Sequence, residues 1–183
     1  MSEHYHPSST DADFLPIVDA NDVVIGSAAR REIHLKKLLH RAVHVVVTNS
    51  RGEVLLQLRS HHKDSHPGYW DISVGGHVDL DEGYEEAVVR EMREELGVAC
   101  EAREVARRTA APESGYEFVR IYEARCEDGF APNPNEIDEL RWVDAQSLLR
   151  HAREDHEDTA WRITGSGLRS IREWARATGL PRE

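Results

Sequence analysis

The chain has 183 residues, enough for one domain with a buried core, and a formal net charge of -11. That balance disfavours nucleic acid as a partner, since duplex binding runs on Lys and Arg displacing counterions. It leaves small phosphates open, because a bound divalent cation reverses the local sign. No run approaches the roughly 18 apolar residues of a membrane span, and the N-terminus lacks a basic region followed by an apolar core. A cytoplasmic protein with no membrane partner is expected.

Residues 1 to 13 are polar and are expected to be disordered. "FLPIVD" and "VVIGSAAR" read as a short β-hairpin with Asn21 and Asp22 in its turn. "EIHLKKLLHRAV" begins helix-like and passes into "VHVVVTN", a strand; "VLLQLRS" follows as another. "HHKDSHPGYWDIS" is a loop by its His, Asp, Ser, Pro and Gly content. Residues 84 to 96 predict a helix, with Gly97 as its natural stop. "EVARRTAA", "EFVRIYEARC" and "ELRWVDA" predict strands, and "AQSLLRHARE" a helix. The last helix should run from near Ser166 to near Gly179, with Leu168, Ile171, Trp174 and Ala175 on one face and Pro181 beyond the stop. No repeat or linker divides the chain, and the order of elements predicts an α/β domain, a mixed sheet with helices on both faces. Cys100 and Cys126 form no framework of spacings, and a reducing compartment is expected for them.

The stretch from Gly76 to Val98 carries eight acidic side chains against Arg90 and Arg93. At about 100° per residue, Val88, Met92 and Leu96 share an apolar face, and Glu91, Glu94 and Glu95 share another with small Ala87 behind them. Like charges at i, i+3 and i+4 destabilise an isolated helix by a few tenths of a kcal/mol per pair. A hard cation liganded by carboxylate oxygens would offset that. Gly75 and Gly76 stand just before, where glycine lets a main-chain carbonyl approach a ligand closely; Gly76 is therefore a candidate for a backbone oxygen on the cation. Glu82 and Arg90 are placed to pair across loop and helix and so orient Glu91.

These residues resemble the Nudix signature: Gly76, then Glu82 after five residues, Arg90-Glu91 after seven more, Met92, Glu94-Glu95, Gly97 and Val98. The resemblance implies a Nudix fold over residues 1 to 183, a mixed β-sheet sandwiched between α-helices, here with the N-terminal hairpin added. It implies Mg²⁺ or Mn²⁺ held by Glu91, Glu94, Glu95 and the Gly76 carbonyl. It also implies attack of water on a diphosphate linked to another group X, the cation neutralising phosphate oxygens and lowering the pKa of water. Arg90, Glu94 and Glu95 are the catalytic candidates, with Glu94 or Glu95 taking the proton and Glu117 as an outside candidate. A small-molecule diphosphate, a nucleotide for preference, is the expected substrate, and family dimers make a homodimer compatible.

"LLHRAVHVVV", "GEVLLQLRS", "PGYWDISVGGH" and "NEIDELRWV" further resemble the branch that includes isopentenyl-diphosphate isomerase. That enzyme places a cysteine before its Gly-His, where this chain has Gly75, and usually has a degraded signature helix, where this one is intact. Its His and Glu metal site is partly echoed by His40, His77 and Glu117, with Gly115 where a second Glu would stand. A hydrolase is the favoured reading, the isomerase its rival, and a non-catalytic nucleotide sensor a third.

The remaining candidates are single residues. Lys63, among His61, His62 and His66, marks either a polar surface loop or a rim that meets phosphates. Arg59, at the end of "VLLQLR", is a candidate phosphate ligand, and His77 and Glu117 are candidate substrate contacts. His40 and His44 read as packed histidines, since no His/Cys spacing supports zinc. Trp70 reads as core or as a loop anchor.

Overall fold

The valine-rich run ending "VHVVVT" makes β3 (His40–Thr48) the centre of the protein, buried on both faces as a strand with parallel pairing requires. The computed structural model describes residues 14–153 and 162–180, so the expectation about residues 1 to 13 lies outside the described residues. On one edge β3 pairs in parallel with β8 (Glu117–Arg125), His40 opposite Glu117 and Thr48 opposite Arg125. On the other it pairs antiparallel with β6 (Val74–His77), Ala42 opposite His77 and Val43 opposite Gly76. These two registers bring His40, His77 and Glu117 to one end of the sheet, from positions far apart in sequence.

Farther along, β3 meets β4 (Glu53–Arg59) at Thr48 and Val54. β4 then runs between β9 (Ile137–Asp144) and the short β5 (Trp70–Asp71). β7 (Ala102–Arg108) closes the far edge against β8. β1 (Phe14–Val18) and β2 (Val24–Ala29) form the expected hairpin as a separate two-stranded sheet, with Asp22 in its turn at φ 61°. α1 (Arg30–Lys36) follows it.

The alternation along β3 divides the core. Val43, Val45 and Val47 face α2 (Tyr84–Leu96), packing with Val88, Met92 and Leu96. Ala42 and Val46 face α3 (Ala145–Arg153) and α4 (Gly165–Thr178), packing with Leu148, Ile171 and Trp174. Side chains of this kind contribute about 1.5–3 kcal/mol each when fully buried, so the helices are held on both faces of the sheet. α2 ends at Gly97, at φ 69°, where a Cβ would lie 2.8 Å from the Ala131 carbonyl oxygen.

The cysteines depart from expectation. Cys100 and Cys126 are joined in a disulfide. The register explains it: Ala102 opposes Ala124 across the antiparallel β7–β8 pair, so the positions two residues beyond these partners, Cys100 and Cys126, face one another. Among the described residues no helix is long and apolar enough to cross a membrane.

Candidate active site

α2 lays its acidic face along the edge of the sheet at β6. Glu91, Glu94 and Glu95 line one cavity of about 340 Å³ together with Gly76, Asp79 and Glu136. They are not equivalent. Glu95 is buried and accepts a hydrogen bond from Gln57 Nε2 at 3.0 Å. The Glu91 side chain is 12% exposed, whereas that of Glu94 is 57% exposed at the rim. Burial lifts the Glu91 carboxyl to about 7 despite the neighbouring Arg90. Burial, with the charges of Glu91 and Glu136, lifts Glu95 well above the carboxylate range.

Arg90 ties the signature loop to the helix. Its Nη2 donates to Glu82 Oε1 at 2.5 Å and to the His77 carbonyl at 2.9 Å. Its Nη1 donates to Glu91 at 2.8 Å and to Glu94 at 3.2 Å. Glu82 in turn accepts from the Asp79 backbone N–H at 2.7 Å. The guanidinium therefore ties two of the three α2 carboxylates that line the cavity to the strand carrying Gly76. Gly76 permits this because Glu91 fills the space its side chain would take.

The sequence model of the NUDIX domain matches residues 38–163. The chain belongs to the Nudix family. It is 35% identical to an isopentenyl-diphosphate Delta-isomerase of Burkholderia multivorans over 170 residues, 88% of this chain and 97% of that one. It is also 35% identical to a Nudix hydrolase of Deinococcus radiodurans over 138 residues, 74% of this chain and 81% of that one. The crystal structure of DR0079 from Deinococcus radiodurans superposes with a TM-score of 0.76 at 30% identity, covering 90% of this chain and 99% of that one. The mixed sheet between helices is thus the Nudix architecture, and hydrolysis of diphosphate bonds is the activity the family supports.

Around the Nudix helix the other predicted residues are distributed unevenly. Arg59 lines a second cavity of about 370 Å³ that meets the first at Arg30, Lys63, Gly75, Gly76 and His77. Its guanidinium is already engaged: it donates to the Ser65 carbonyl at 2.9 Å and to Ser65 Oγ at 3.1 Å, and lies 3.5 Å from Asp71. Lys63 lines both cavities but is ion-paired to Glu136. His77 and Glu117 face each other at 3.5 Å, and His40 Nε2 stands 3.6 Å from the same Glu117 oxygen. Burial alone would raise Glu117, but the neighbouring histidines hold it far below the carboxylate range, which makes it a poor proton acceptor. Trp70 is buried in the core.

His34 went unremarked in the sequence. Its ring nitrogen and those of His40 and His77 lie within 4.8 Å of one another. No spacing signalled this, because the three come from α1, β3 and β6. His40 is accordingly a member of a histidine cluster, and the expectation of a merely packed residue understates it. His44 is packed as expected, its Nδ1 2.5 Å from Ser170 Oγ.

The carboxylate cavity fits a divalent cation on its own chemistry. Its donors are hard oxygens, two of them on buried carboxylates whose raised pKa values express charge repulsion and lost hydration. A Cβ at Gly76 would fill the space beside them.

Proposed function

We propose that this Nudix protein is a Mg²⁺- or Mn²⁺-dependent hydrolase that cleaves the diphosphate linkage of a nucleoside di- or triphosphate or a related nucleoside diphosphate derivative. The observation that carries the reading is the gathering of Glu91, Glu94, Glu95 and Gly76 on one cavity, braced by Arg90. Glu91, Glu94, Glu95 and the Gly76 carbonyl would hold the cation, which when bound neutralises phosphate oxygens and makes water a better nucleophile. Arg90 acts by positioning, since its donors are spent on Glu82, Glu91, Glu94 and the His77 carbonyl. Proton transfer falls to Glu94 or Glu95. Burial raises the proton affinity of Glu95, and Glu94 stands at the exposed rim.

The isomerase reading has one observation in its favour, the meeting of His34, His40 and His77 beside Glu117. Against it stands Gly75, which offers no group to protonate an alkene carbon.

A panel of nucleotides, nucleotide sugars, dinucleotides and isoprenoid diphosphates, incubated with Mg²⁺ and assayed for phosphate and pyrophosphate, tests the proposal. Release from at least one member, falling by about 10²–10³ or more in Glu94→Gln, is expected. No release from any member sinks it, and conversion of isopentenyl diphosphate to its isomer would favour the rival.

A further inference from the structure

The two cavities that meet at Gly76 differ in their balance of charge, the first richer in carboxylates and the second in serine and threonine. The first is the carboxylate cavity. The second is lined by Arg169 from α4 and by Ser65, Ser114, Thr164 and Ser166, and Arg30 from α1 lines both. Among the described residues lining it there is no Phe, Tyr or Trp, and the aliphatic side chains are Ala42 and Ile72. A nucleobase gains most from stacking on aromatic faces, and the only rings lining this cavity, among the described residues, are the imidazoles of His44, His66 and His77.

Its charges are uneven as well. Of its two acids, Asp71 faces Arg59 and accepts from Thr164 Oγ1 at 2.8 Å, and Glu117 faces His40 and His77. Arg59 and Lys63 are engaged as described above. The side chains of Arg30 and Arg169 make no hydrogen bond or ion pair with any described residue, and Arg169 Nε is buried without a partner. Two unpaired guanidiniums from separate helices, lining with serine and threonine one cavity whose acids face Arg59, His40 and His77, match a tetrahedral oxyanion. Arginine binds one through paired, charge-assisted hydrogen bonds.

We propose that the second cavity binds a phosphate monoester on the X portion of the substrate, separate from the diphosphate being cleaved, with Arg30 and Arg169 as its ligands. The inference rests on the hydrolase reading and deepens it: the group beyond the diphosphate carries a phosphorylated sugar, with or without a base.

The first arm of the test is a calorimetric titration of the full-length, metal-free chain with inorganic phosphate. Saturable binding is expected, about tenfold weaker in Arg169→Gln and in Arg30→Gln and retained in Glu94→Gln. The second arm compares kcat/KM for 5-phosphoribosyl 1-diphosphate with that for isopentenyl diphosphate, which lacks the remote phosphate. The ratio should favour the first substrate and fall about tenfold in Arg169→Gln, with Arg169→Lys between. Phosphate binding indifferent to both arginines, or a ratio unmoved by Arg169→Gln, overturns the inference, whereas Glu94-dependent turnover in the same assays leaves the hydrolase reading intact. Arginine-dependent phosphate binding without turnover of either substrate supports the site and counts against the hydrolase.

Discussion

Gly76 and Glu91 occupy mutually exclusive space: a Cβ on Gly76 would stand 2.0 Å from both Cδ and Oε1 of Glu91. At Gly75, one residue earlier, a Cβ would meet His44 Cδ2 at 3.5 Å, an ordinary contact. Gly76→Ala should therefore push Glu91 off its position and lower turnover by about 10²-fold, the penalty for displacing a catalytic group by about 1 Å. Overpacking should cost about 1–3 kcal/mol of stability. Gly75→Ala should leave the fold near wild type. Phosphate release and thermal melting of the two variants side by side check the contrast, and equal effects would refute it.

Glu82 does not line the carboxylate cavity, yet it holds Arg90 at 2.5 Å. Glu82→Gln should lower kcat more than it raises KM, and cost about 1.5–3 kcal/mol of stability by weakening hydrogen bonds to a charged partner. Steady-state kinetics with urea unfolding measure both. A change in KM alone would mean that Arg90 contacts substrate directly.

Cation binding should depend on pH with a definite sign. Glu91 titrates at about 7 in the metal-free fold and Glu95 lies above its ordinary range, both raised by burial. Their pKa values exceed the unfolded ones, so in the absence of cation they reduce stability as pH rises from the unfolded carboxylate range toward 7. Cation binding needs both deprotonated, so affinity rises and protons are released across that range. The rise in melting temperature on adding Mg²⁺, relative to EDTA, should grow from pH 6 to pH 8 and be lost in Glu91→Gln. A gain independent of pH would contradict it.

His44 works in the opposite direction. Burial lowers its pKa from 6.5 to about 4, so the fold holds it neutral. The unfolded chain takes up the proton first, and stability present above pH 6.5 is lost as pH falls toward 4. The loss is at most about 3 kcal/mol. The stability difference between wild type and His44→Gln, followed by denaturant unfolding from pH 7 to pH 4, isolates this from the carboxylates. A constant difference would show that His44 does not titrate on unfolding.

Much of the architecture was legible because it is written in local periodicity. The three-face pattern of residues 84 to 96 gives α2, and Gly97 stops it at a positive φ. The valines of β3 and the turn at Asp22 are local signals of the same kind. The disulfide was not legible, since it depends on Ala102 meeting Ala124 across a strand pair. Nor was His34, which reaches His40 and His77 only through the folding of α1 onto the end of the sheet.

The sequence by itself determined that Glu91, Glu94 and Glu95 share a helix face beside a glycine pair, because spacing on a helix is a property of one segment. Only the tertiary structure decided that Glu95 is buried and Glu94 exposed, that Arg59 and Lys63 are taken by Ser65, Asp71 and Glu136, and that Arg30 and Arg169 front one cavity. Burial and pairing depend on what other segments bring to the same place, and strand register, which sets those meetings, is a long-range outcome that no single stretch of chain encodes.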